Sequence, residues 1–264
     1  MTIRHDLSFA NYLAMDAISA HGLMQMERSP AHFMQSQQAP HSPTPAQALG
    51  TLTHLCVLEH DAYQRLVHVA PNVDRRTKAG KEADQAFRDA LADTPDAIVA
   101  LEEQDAKARA MREAVMAQPF ARALFDDGAA EVSMLWERDG VSCKARADWI
   151  SDSHEVLIDL KTAIDASERG FGKAAGNFKY HLQAAWYTDA AIDCDLGTRA
   201  FIFIAVEPEP PYAVGLYQLD EVAIHAGRVR YQRAFDTYRQ CVQSGQWPGY
   251  GREIQTIEIP KWAL

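Results

Sequence analysis

The sequence predicts an α+β fold in which helices come first and most strands come later. Three observations favour it: two helix-start signals lie in the first fifty residues, an alternation of period two begins at Glu131, and a long helical segment from Glu221 to Ser244 follows the last strand. The predicted order is helices, a three-strand meander, a crossover helix, two strands and a closing helix. We expect one domain over 1–264, mainly helical at 1–125 and with a sheet core at 126–264.

Capping signals and apolar runs define the first half. The segment Pro45 to Glu59 has apolar residues on all sides, which predicts a helix that is buried all round. A polar, charged stretch from Asn72 to Asp96 then joins helical segments, of which Asp96 to Gln118 is the clearest. The two helix starts are Ser29-Pro30, with serine as N-cap, and Thr44-Pro45-Ala46-Gln47, with glutamine at the capping-box position.

The second half is predicted to contain the sheet. Asp139-Gly140 lies between two alternating runs, which is a strong signal for a β-hairpin. The predicted elements are strands at Val132 to Arg138, Val141 to Ile150 and Val156 to Lys161, a loop with Gly170, Gly172 and Gly176, a helix from Phe178 to Ile192, strands at Ala200 to Val206 and Tyr212 to Gln218, and a helix from Glu221 to Ser244.

Composition restricts the class of protein. The chain has 264 residues, of which 47% are hydrophobic and 23% charged, as is ordinary for a folded soluble protein. It has no N-terminal signal sequence and no apolar run near the ~18 residues of a membrane span, so we expect a cytoplasmic protein. Its four cysteines form no Cys-x-x-Cys pair, which argues against a zinc ribbon or clustered iron–sulfur site and predicts reduced core thiols.

The net charge of −10 is unusual for a protein that binds nucleic acid. Contact with phosphate needs only a local basic surface, however. Taken singly, each basic segment is better explained as a solvated helix or loop face. The three segments are Arg75, Arg76, Lys78 and Lys81; Lys161, Arg169, Lys173 and Lys179; and Arg228, Arg230, Arg233 and Arg239.

The strongest functional signal is a pair of charges on the third predicted strand. In Val156 to Lys161, which reads V-L-I-D-L-K, Asp159 and Lys161 point to the same side because side chains alternate along a strand. The preceding strand puts Lys144, Arg146 and Asp148 on one face. Adjacent strands therefore bring Asp148, Asp159 and Lys161 together.

Such a cluster suits the hydrolysis of phosphodiesters. Two neighbouring carboxylates repel, which favours capture of a hard divalent cation, and a lysine beside them can orient or deprotonate water. The alternative is a structural ion pair, which is poorly favoured because desolvation can cancel its attraction. Asp105-Ala106-Lys107 has the same spacing within a charged helical stretch and is predicted to be surface.

These motifs resemble a known superfamily. The hairpin aspartate Asp148 followed by Ile158-Asp159-Leu160-Lys161 resembles the PD-(D/E)xK nuclease core, and Gln183-Ala184-Ala185-Trp186-Tyr187 matches the Q-x-x-x-Y motif of its RecB-like branch. Further segments resemble the nuclease domain of exodeoxyribonuclease VIII (the RecE-like family), from about Ile18 to Tyr250. These are Ile18-Ser19, Leu23, Ser29 to Phe33, Pro43 to Ala46, Leu49 to Thr51, His54, Leu58-Glu59, Arg76 to Lys81 and Trp247 to Tyr250.

The resemblance implies a fold, an activity and partners. The fold is a restriction-endonuclease-like core, a central mixed sheet flanked by helices, with an N-terminal helical elaboration. The activity is magnesium-dependent degradation, with manganese as a substitute, of the 5′-ended strand of linear double-stranded DNA. It leaves a 3′ single strand for an annealing protein in phage-type recombination. A homo-oligomeric ring is also implied.

The resemblance assigns roles to residues as well. His54, Asp148 and Asp159 would bind metal, the Leu160 carbonyl would assist, and Lys161 would act on the water nucleophile. Without it, a lone histidine on a buried helix is more often a hydrogen-bonded core residue, and imidazole is a softer ligand than magnesium prefers. Two interpretations of Glu131 are equally favoured: an additional residue of the site, or an exposed glutamate at the end of a strand.

A predicted helix carries further candidates. Gln183 and Tyr187 lie at i and i+4 and Tyr180 at i−3, so the three share a face. We expect Gln183 and Tyr187 to donate to phosphate or to metal-bound water; the alternative is an amphipathic packing helix. The predicted DNA contacts are Arg76, Lys78, Lys81, Thr162, Lys173, Lys179 and Tyr180.

Two rival functions stay open. One is a RecB-like or Cas4-like nuclease of different polarity, although the scattered cysteines argue against the iron–sulfur type. The other is a catalytically idle module that binds DNA ends and recruits an annealing protein. Both acids and the lysine are present, which disfavours the idle module.

Overall fold

The computed structural model describes residues 1–38, 43–94, 96–197, 199–251, 253–260 and 262. Its helices are α1 Phe9–Ala14, α2 Ala20–Arg28, α3 Pro30–Gln38, α4 Pro45–Leu58, α5 His60–Leu66, α6 Lys78–Ala90, α7 Glu102–Ala117, α8 Pro119–Leu124, α9 Glu168–Asn177, α10 Tyr180–Asp193 and α11 Glu221–Ser244. Its strands are β1 Thr2–Arg4, β2 Val67–Val69, β3 Ile98–Ala100, β4 Ala129–Arg138, β5 Val141–Ser151, β6 Val156–Thr162, β7 Ala200–Val206 and β8 Val214–Gln218.

A six-stranded sheet with the order β1-β4-β5-β6-β7-β8 forms the centre. Its neighbours pair antiparallel except β6 and β7, which run parallel and are joined through α9 and α10. The hairpin of β4 and β5 turns at Asp139-Gly140, where both residues have positive φ, as a type I′ turn requires. The prediction of a mixed sheet flanked by helices is thus confirmed.

Each face of this sheet is covered by a different set of helices. On one face, β4, β5 and β7 pack against α2, α10 and α11 around the fully buried Leu23, Trp186 and Tyr231. On the other, Ile158 and Leu160 of β6 pack against Val57 of α4 and against α7. Strand β6 is therefore enclosed on both sides, which explains why its apolar residues form an uninterrupted run up to Asp159.

Several predicted elements differ from the structure. The segment with Gly170, Gly172 and Gly176 is helix α9 rather than a loop, because Ser167 caps it and the buried Phe171 and Ala175 anchor one face. The helix predicted from Asp96 begins at Glu102, since 98–100 pair with β2 as β3. Helix α6 lies within the stretch 72–96, where only a polar connection was expected.

The burial of α4 and the start of β8 also differ from the predictions. Helix α4 is buried only in its second half, where Leu52, Thr53 and 56–58 lie inside, while its first turn is exposed. Strand β8 begins at Val214, because Tyr212 adopts a positive φ that a strand does not accommodate. Because β1 joins the main sheet beside β4, the N-terminal part is not wholly helical. That the chain is a single domain stays a prediction.

The close approach of α10 and α11 gives a test of the packing. A Cβ on Gly227 would lie 2.0 Å from the carbonyl oxygen of His181, whereas one on Gly172 would meet nothing within 4 Å. We expect Gly227→Ala to lower the free energy of unfolding by about 1–3 kcal/mol through overpacking. Gly172→Ala, at an exposed position of α9, should raise the free energy of unfolding by about 0.5–1 kcal/mol. Urea unfolding measures both, and equal stability of Gly227→Ala and wild type would contradict the described helix contact.

Candidate active site

Two aspartates lie side by side where the ladder between β5 and β6 ends. The last paired residues toward that end are Trp149 and Ile158, so Asp148 and Asp159 stand opposite one another at the next position. The backbone amide of Leu160 donates to Asp148 Oδ2 over 2.8 Å. Since the N–H and C=O of a strand residue point to the same side, the Leu160 carbonyl also faces β5.

Lys161 and Gln183 both hold Asp159. Its side chain is almost fully buried; Lys161 Nζ forms an ion pair with Oδ2, and Gln183 Nε2 donates to Oδ1 over 2.5 Å. Apart from that ion pair, Oδ2 has no hydrogen bond of regular geometry. Burial lowers the pKa of Lys161, but the nearby charges of Asp159 and Asp148 outweigh it, so the pKa is raised and the amine is a cation.

The pKa of Asp148 is raised well above its usual range. Burial is the largest cause, and the charge of Asp159 is the next. Two carboxyls are thus held close together inside the protein, with one ammonium paired to Asp159. A site that keeps such a repulsion is costly for stability, which is typical of a functional cluster.

His54 of α4 reaches the same place from the other half of the sequence. Its Nδ1 lies 3.5 Å from Asp148 Oδ2. Burial is the largest cause that lowers its pKa, and the charge of Lys161 lowers it further, so the imidazole is neutral and has a free electron pair. The structure thus brings together His54, Asp148, Asp159 and Lys161.

Glu131 completes a group of three potential ligands. One donor atom each from His54, Glu131 and Asp148 lies within 4.8 Å of the others. Glu131 falls opposite Asp148 in the register of β4 and β5, and it has a φ of 56°, a conformation that costs a non-glycine residue about 1–2 kcal/mol. It also accepts from Arg146 Nε over 2.6 Å. Local sequence leaves the role of Glu131 open, yet the two-residue turn at 139–140 already sets this register.

These residues fit a divalent cation. The oxygens of Asp148 and Glu131, the neutral imidazole of His54 and the Leu160 carbonyl are donors of the kind that magnesium or manganese accepts. The incompletely bonded Oδ2 of Asp159 is a further donor beside them. Within the described ranges, the compact group of three comprises His54, Glu131 and Asp148, with Asp159 tied to Lys161 and Gln183.

Two tyrosines of α10 border the site. The Tyr180 ring centroid lies 5.1 Å from Lys161 Nζ, which is a cation–π contact. The pKa of Tyr187 is raised well above its usual value, first by burial and then by electrostatic interaction with Tyr12, Asp159 and Asp148. Gln183, between them on the same face, reaches Asp159 directly. Thr162, at the end of β6, lies close to Gly50 of α4.

Lys144 and Arg146 of β5 have another role. Lys144 Nζ is buried and donates to the carbonyls of Tyr12, Leu13 and Met15 over 2.8–3.2 Å. Arg146 donates to the Leu7 carbonyl over 2.6 Å as well as to Glu131. They fasten the N-terminal segment beside the acidic cluster.

The other residues predicted to contact DNA do not belong to the cluster of His54, Asp148, Asp159 and Lys161. Arg76, Lys78 and Lys81 are exposed at the start of α6, and Lys78 pairs with Glu82 at 3.8 Å. Lys173 is exposed on α9. Lys179 forms an ion pair with Glu27 at 2.7 Å and donates to the Met24 carbonyl. Their contact with DNA stays a prediction.

The fold and the paired acids beside a lysine define a PD-(D/E)xK-like protein. Residues 19–260 match the family described as "PDDEXK-like domain of unknown function (DUF3799)", and the chain belongs to that family. The predicted membership of the superfamily is therefore confirmed. Among curated proteins, none has a sequence that matches this chain.

Among the solved structures that match this chain are two whose names describe exonucleases. One is a proposed exonuclease from Eubacterium rectale, with 11% identity and a TM-score of 0.60 over 97% of this chain and 96% of that one. This likeness shows a shared fold. The other is a phage-related exonuclease from Haemophilus somnus 129PT, with 15% identity over 67% of this chain and 91% of that one; its TM-score of 0.35 is too low to indicate a shared fold.

Among the helices of the described residues, none combines the length and apolar character needed to cross a membrane.

Replacing Asp148 by asparagine tests the repulsion between the carboxyls. Its raised pKa means that the folded, metal-free protein retains a proton that the unfolded chain releases. This contribution to stability is full below the usual aspartate pKa and is lost as pH rises through the folded pKa. In EDTA, Asp148→Asn should therefore not lose stability as pH rises through this range. At neutral pH its free energy of unfolding should equal or exceed that of wild type.

Bound magnesium should reverse the order of stability of wild type and Asp148→Asn. Magnesium at a hundredfold excess over its Kd should stabilise wild type by about 2–3 kcal/mol and the variant by less. Urea unfolding with and without magnesium measures both effects, and Asp126→Asn, at an exposed position, is the control. Equal metal stabilisation of Asp148→Asn and wild type would show that Asp148 is not a ligand.

Proposed function

We propose that this protein is a metal-dependent exonuclease that degrades linear double-stranded DNA from 5′ to 3′. One observation carries the proposal: Asp148 and Asp159 stand opposite one another on adjacent strands, with Lys161 paired to Asp159 and His54 beside Asp148. Phosphodiester hydrolysis needs a held cation, an activated water and a positive group near the phosphate. This cluster has donors for the cation and an ammonium, and a bound cation would activate the water. The shared fold with a proposed exonuclease agrees with it.

The cation would be held by Asp148, Asp159 and His54, with the Leu160 carbonyl and Glu131 as further donors. Magnesium suits the oxygen ligands, and manganese accepts the imidazole more readily. When bound, it would lower the pKa of a water and neutralise charge on the leaving 3′ oxygen.

The protein's own groups perform the remaining work. Lys161, a cation fixed by Asp159 and by the Tyr180 ring, orients the attacking water and stabilises negative charge as it develops on the phosphate. Gln183 fixes the Asp159 carboxylate through its hydrogen bond to Oδ1, and the Tyr187 hydroxyl is a neutral donor near both acids. These side chains come from enclosed elements, which keeps them in place before substrate arrives.

Finer features of the proposal rest on the resemblance to the exodeoxyribonuclease VIII family. They are the 5′ to 3′ polarity, a 3′ single-stranded product used in recombination, a single-strand annealing partner, and a homo-oligomeric ring. A ring with a basic inner channel would reconcile DNA binding with the net charge of −10. In that arrangement Arg76, Lys78, Lys81 and Lys173 would contact the phosphate backbone.

Lys161→Ala and Asp159→Ala should abolish metal-dependent digestion of linear duplex DNA. Removal of a group that acts on the nucleophile costs at least about 100-fold in rate. The measurement uses 5′-labelled, 3′-labelled and circular duplexes with and without magnesium, which also reports polarity and the need for an end. Lys107→Ala is the matched control, because Asp105-Ala106-Lys107 repeats the spacing on α7, where Lys107 pairs with Glu103 and Glu209.

Full activity in a folded Lys161→Ala or Asp159→Ala protein would reject the assignment. Binding of DNA by wild type with no cleavage under magnesium or manganese would favour the idle end-binding module.

Gln183→Ala should weaken metal binding, while the rate of cleavage at saturating magnesium should change less. Loss of a group that orients a ligand typically costs about 10–100-fold in metal affinity. We expect cleavage at low magnesium to fall by about that factor and to recover substantially at high magnesium. Gln240→Ala, at an exposed position of α11, is the control. A loss of cleavage that is the same at all magnesium concentrations would contradict this role.

A further inference from the structure

An exposed aromatic side chain lies next to the candidate active site and takes no part in the proposed hydrolysis. Phe178, the residue that follows α9, has 63% of its surface exposed. Its ring stacks on that of Tyr180 with a centroid distance of 5.8 Å and an interplanar angle of 26°. A single exposed apolar ring needs no explanation by itself, so the feature that matters is the stacking of this ring beside the site.

This pair of rings continues a row of aromatic contacts from the core to the surface. The inner side of Tyr180 packs on the buried Phe203 and Phe171, with centroid distances of 5.5 Å and 5.8 Å. Tyr180 also lies 5.1 Å from Lys161 Nζ. The exposed ring of Phe178 is therefore two contacts away from the ammonium that is proposed to act at the phosphate.

The backbone between the two rings is fixed in an unusual conformation. Lys179 has a φ of 59°, in the left-handed region that favours glycine. Its side chain compensates by pairing with Glu27 at 2.7 Å and donating to the Met24 carbonyl at 3.2 Å. A fixed left-handed residue turns Phe178 and Tyr180 onto each other, which makes the exposed ring a preformed surface rather than part of a mobile loop.

The surroundings carry positive charge. Lys179, Arg230 and Arg233 line a cleft of about 390 Å³ together with a single carboxylate, that of Glu27. Arg230 shares Glu27 with Lys179, and the exposed Lys173 lies one helical turn before the end of α9. An apolar protein partner would not need this excess of cations, whereas a nucleotide presents a flat base and a phosphate together.

We propose that Phe178 is a stacking platform for an unpaired base of the DNA strand at the active site, with the adjacent phosphate on the cationic cleft beside Lys179. This deepens the proposed function, on which it rests, by identifying a binding site for single-stranded DNA. The base stacks on the outer face of the Phe178 ring, and the row Phe178–Tyr180–Lys161 sets its position relative to the reacting phosphate. Stacking is tolerant of sequence because every base has an aromatic face.

Binding of single-stranded oligonucleotides with calcium as the only divalent cation tests this inference without cleavage. Phe178→Ala should weaken binding by about 5- to 150-fold, the range found when a stacked aromatic residue is removed. Phe178→Trp should restore it. A series of oligonucleotides, each with one abasic site at a different position, locates the stacked base. Wild type should bind one member of the series more weakly than the others. Phe178→Ala should bind all members equally.

Controls separate stacking from a general loss of structure. Phe120, with 77% exposure on α8, is the matched control, since Phe120→Ala also removes a highly exposed ring, from a helix that lies beside the turn between β5 and β6. Urea unfolding of Phe178→Ala checks the fold. A 2-aminopurine base at the sensitive position should lose fluorescence on binding to wild type and to Phe178→Trp, and keep it with Phe178→Ala.

Unchanged binding of Phe178→Ala, or no position-dependent effect of the abasic site, would overturn the inference. A change of oligomeric state in Phe178→Ala with unchanged DNA binding would also overturn it and make the ring an interface between copies. Failure of the proposed function looks different: wild type would not cleave under magnesium, while the binding comparison would still give its own result.

Discussion

The organising constraint of this structure is the enclosure of two carboxyl groups at the end of one β-ladder. Asp148 and Asp159 face each other where β5 and β6 stop pairing, and burial together with mutual repulsion raises the pKa of Asp148. The protein meets part of this cost with the Lys161 ammonium, the Gln183 amide and the Leu160 N–H. The remaining unfavourable energy is what a bound cation would relieve.

The rest of the fold keeps this cluster in place. Helices on both faces enclose β6, which keeps the Asp159 side chain buried and that of Lys161 largely so. Helix α4 brings His54 to Asp148, and α10 brings Gln183 to Asp159. Lys144 and Arg146 fasten the N-terminal segment beside them through carbonyl groups. The helical first half is thus part of the site rather than an appendage to the sheet.

Local sequence signals predicted the sheet well because each depends on neighbouring residues. The turn at Asp139-Gly140 sets the register of β4 and β5, and the run before Asp159 marks a strand enclosed on both sides. The same register places Glu131 opposite Asp148, so its presence near the site was available from the sequence. Helix α9 was missed because its glycines disfavour a helix, whereas contacts of Phe171 with Tyr217 and Phe203 stabilise it.

The features that sequence reasoning could not derive depend on distant contacts. No local pattern connects His54 to Asp148, and only the family resemblance pointed to it. Nor does any pattern show Lys144 bound to carbonyls of the N-terminal segment, or Phe178 stacked on Tyr180. The paired carboxyls are tested most directly as a cation site by an anomalous difference map from crystals soaked in manganese. We expect a peak within bonding distance of oxygens from both Asp148 and Asp159. A well-ordered pair of carboxyls with no peak between them would show that they do not share a cation.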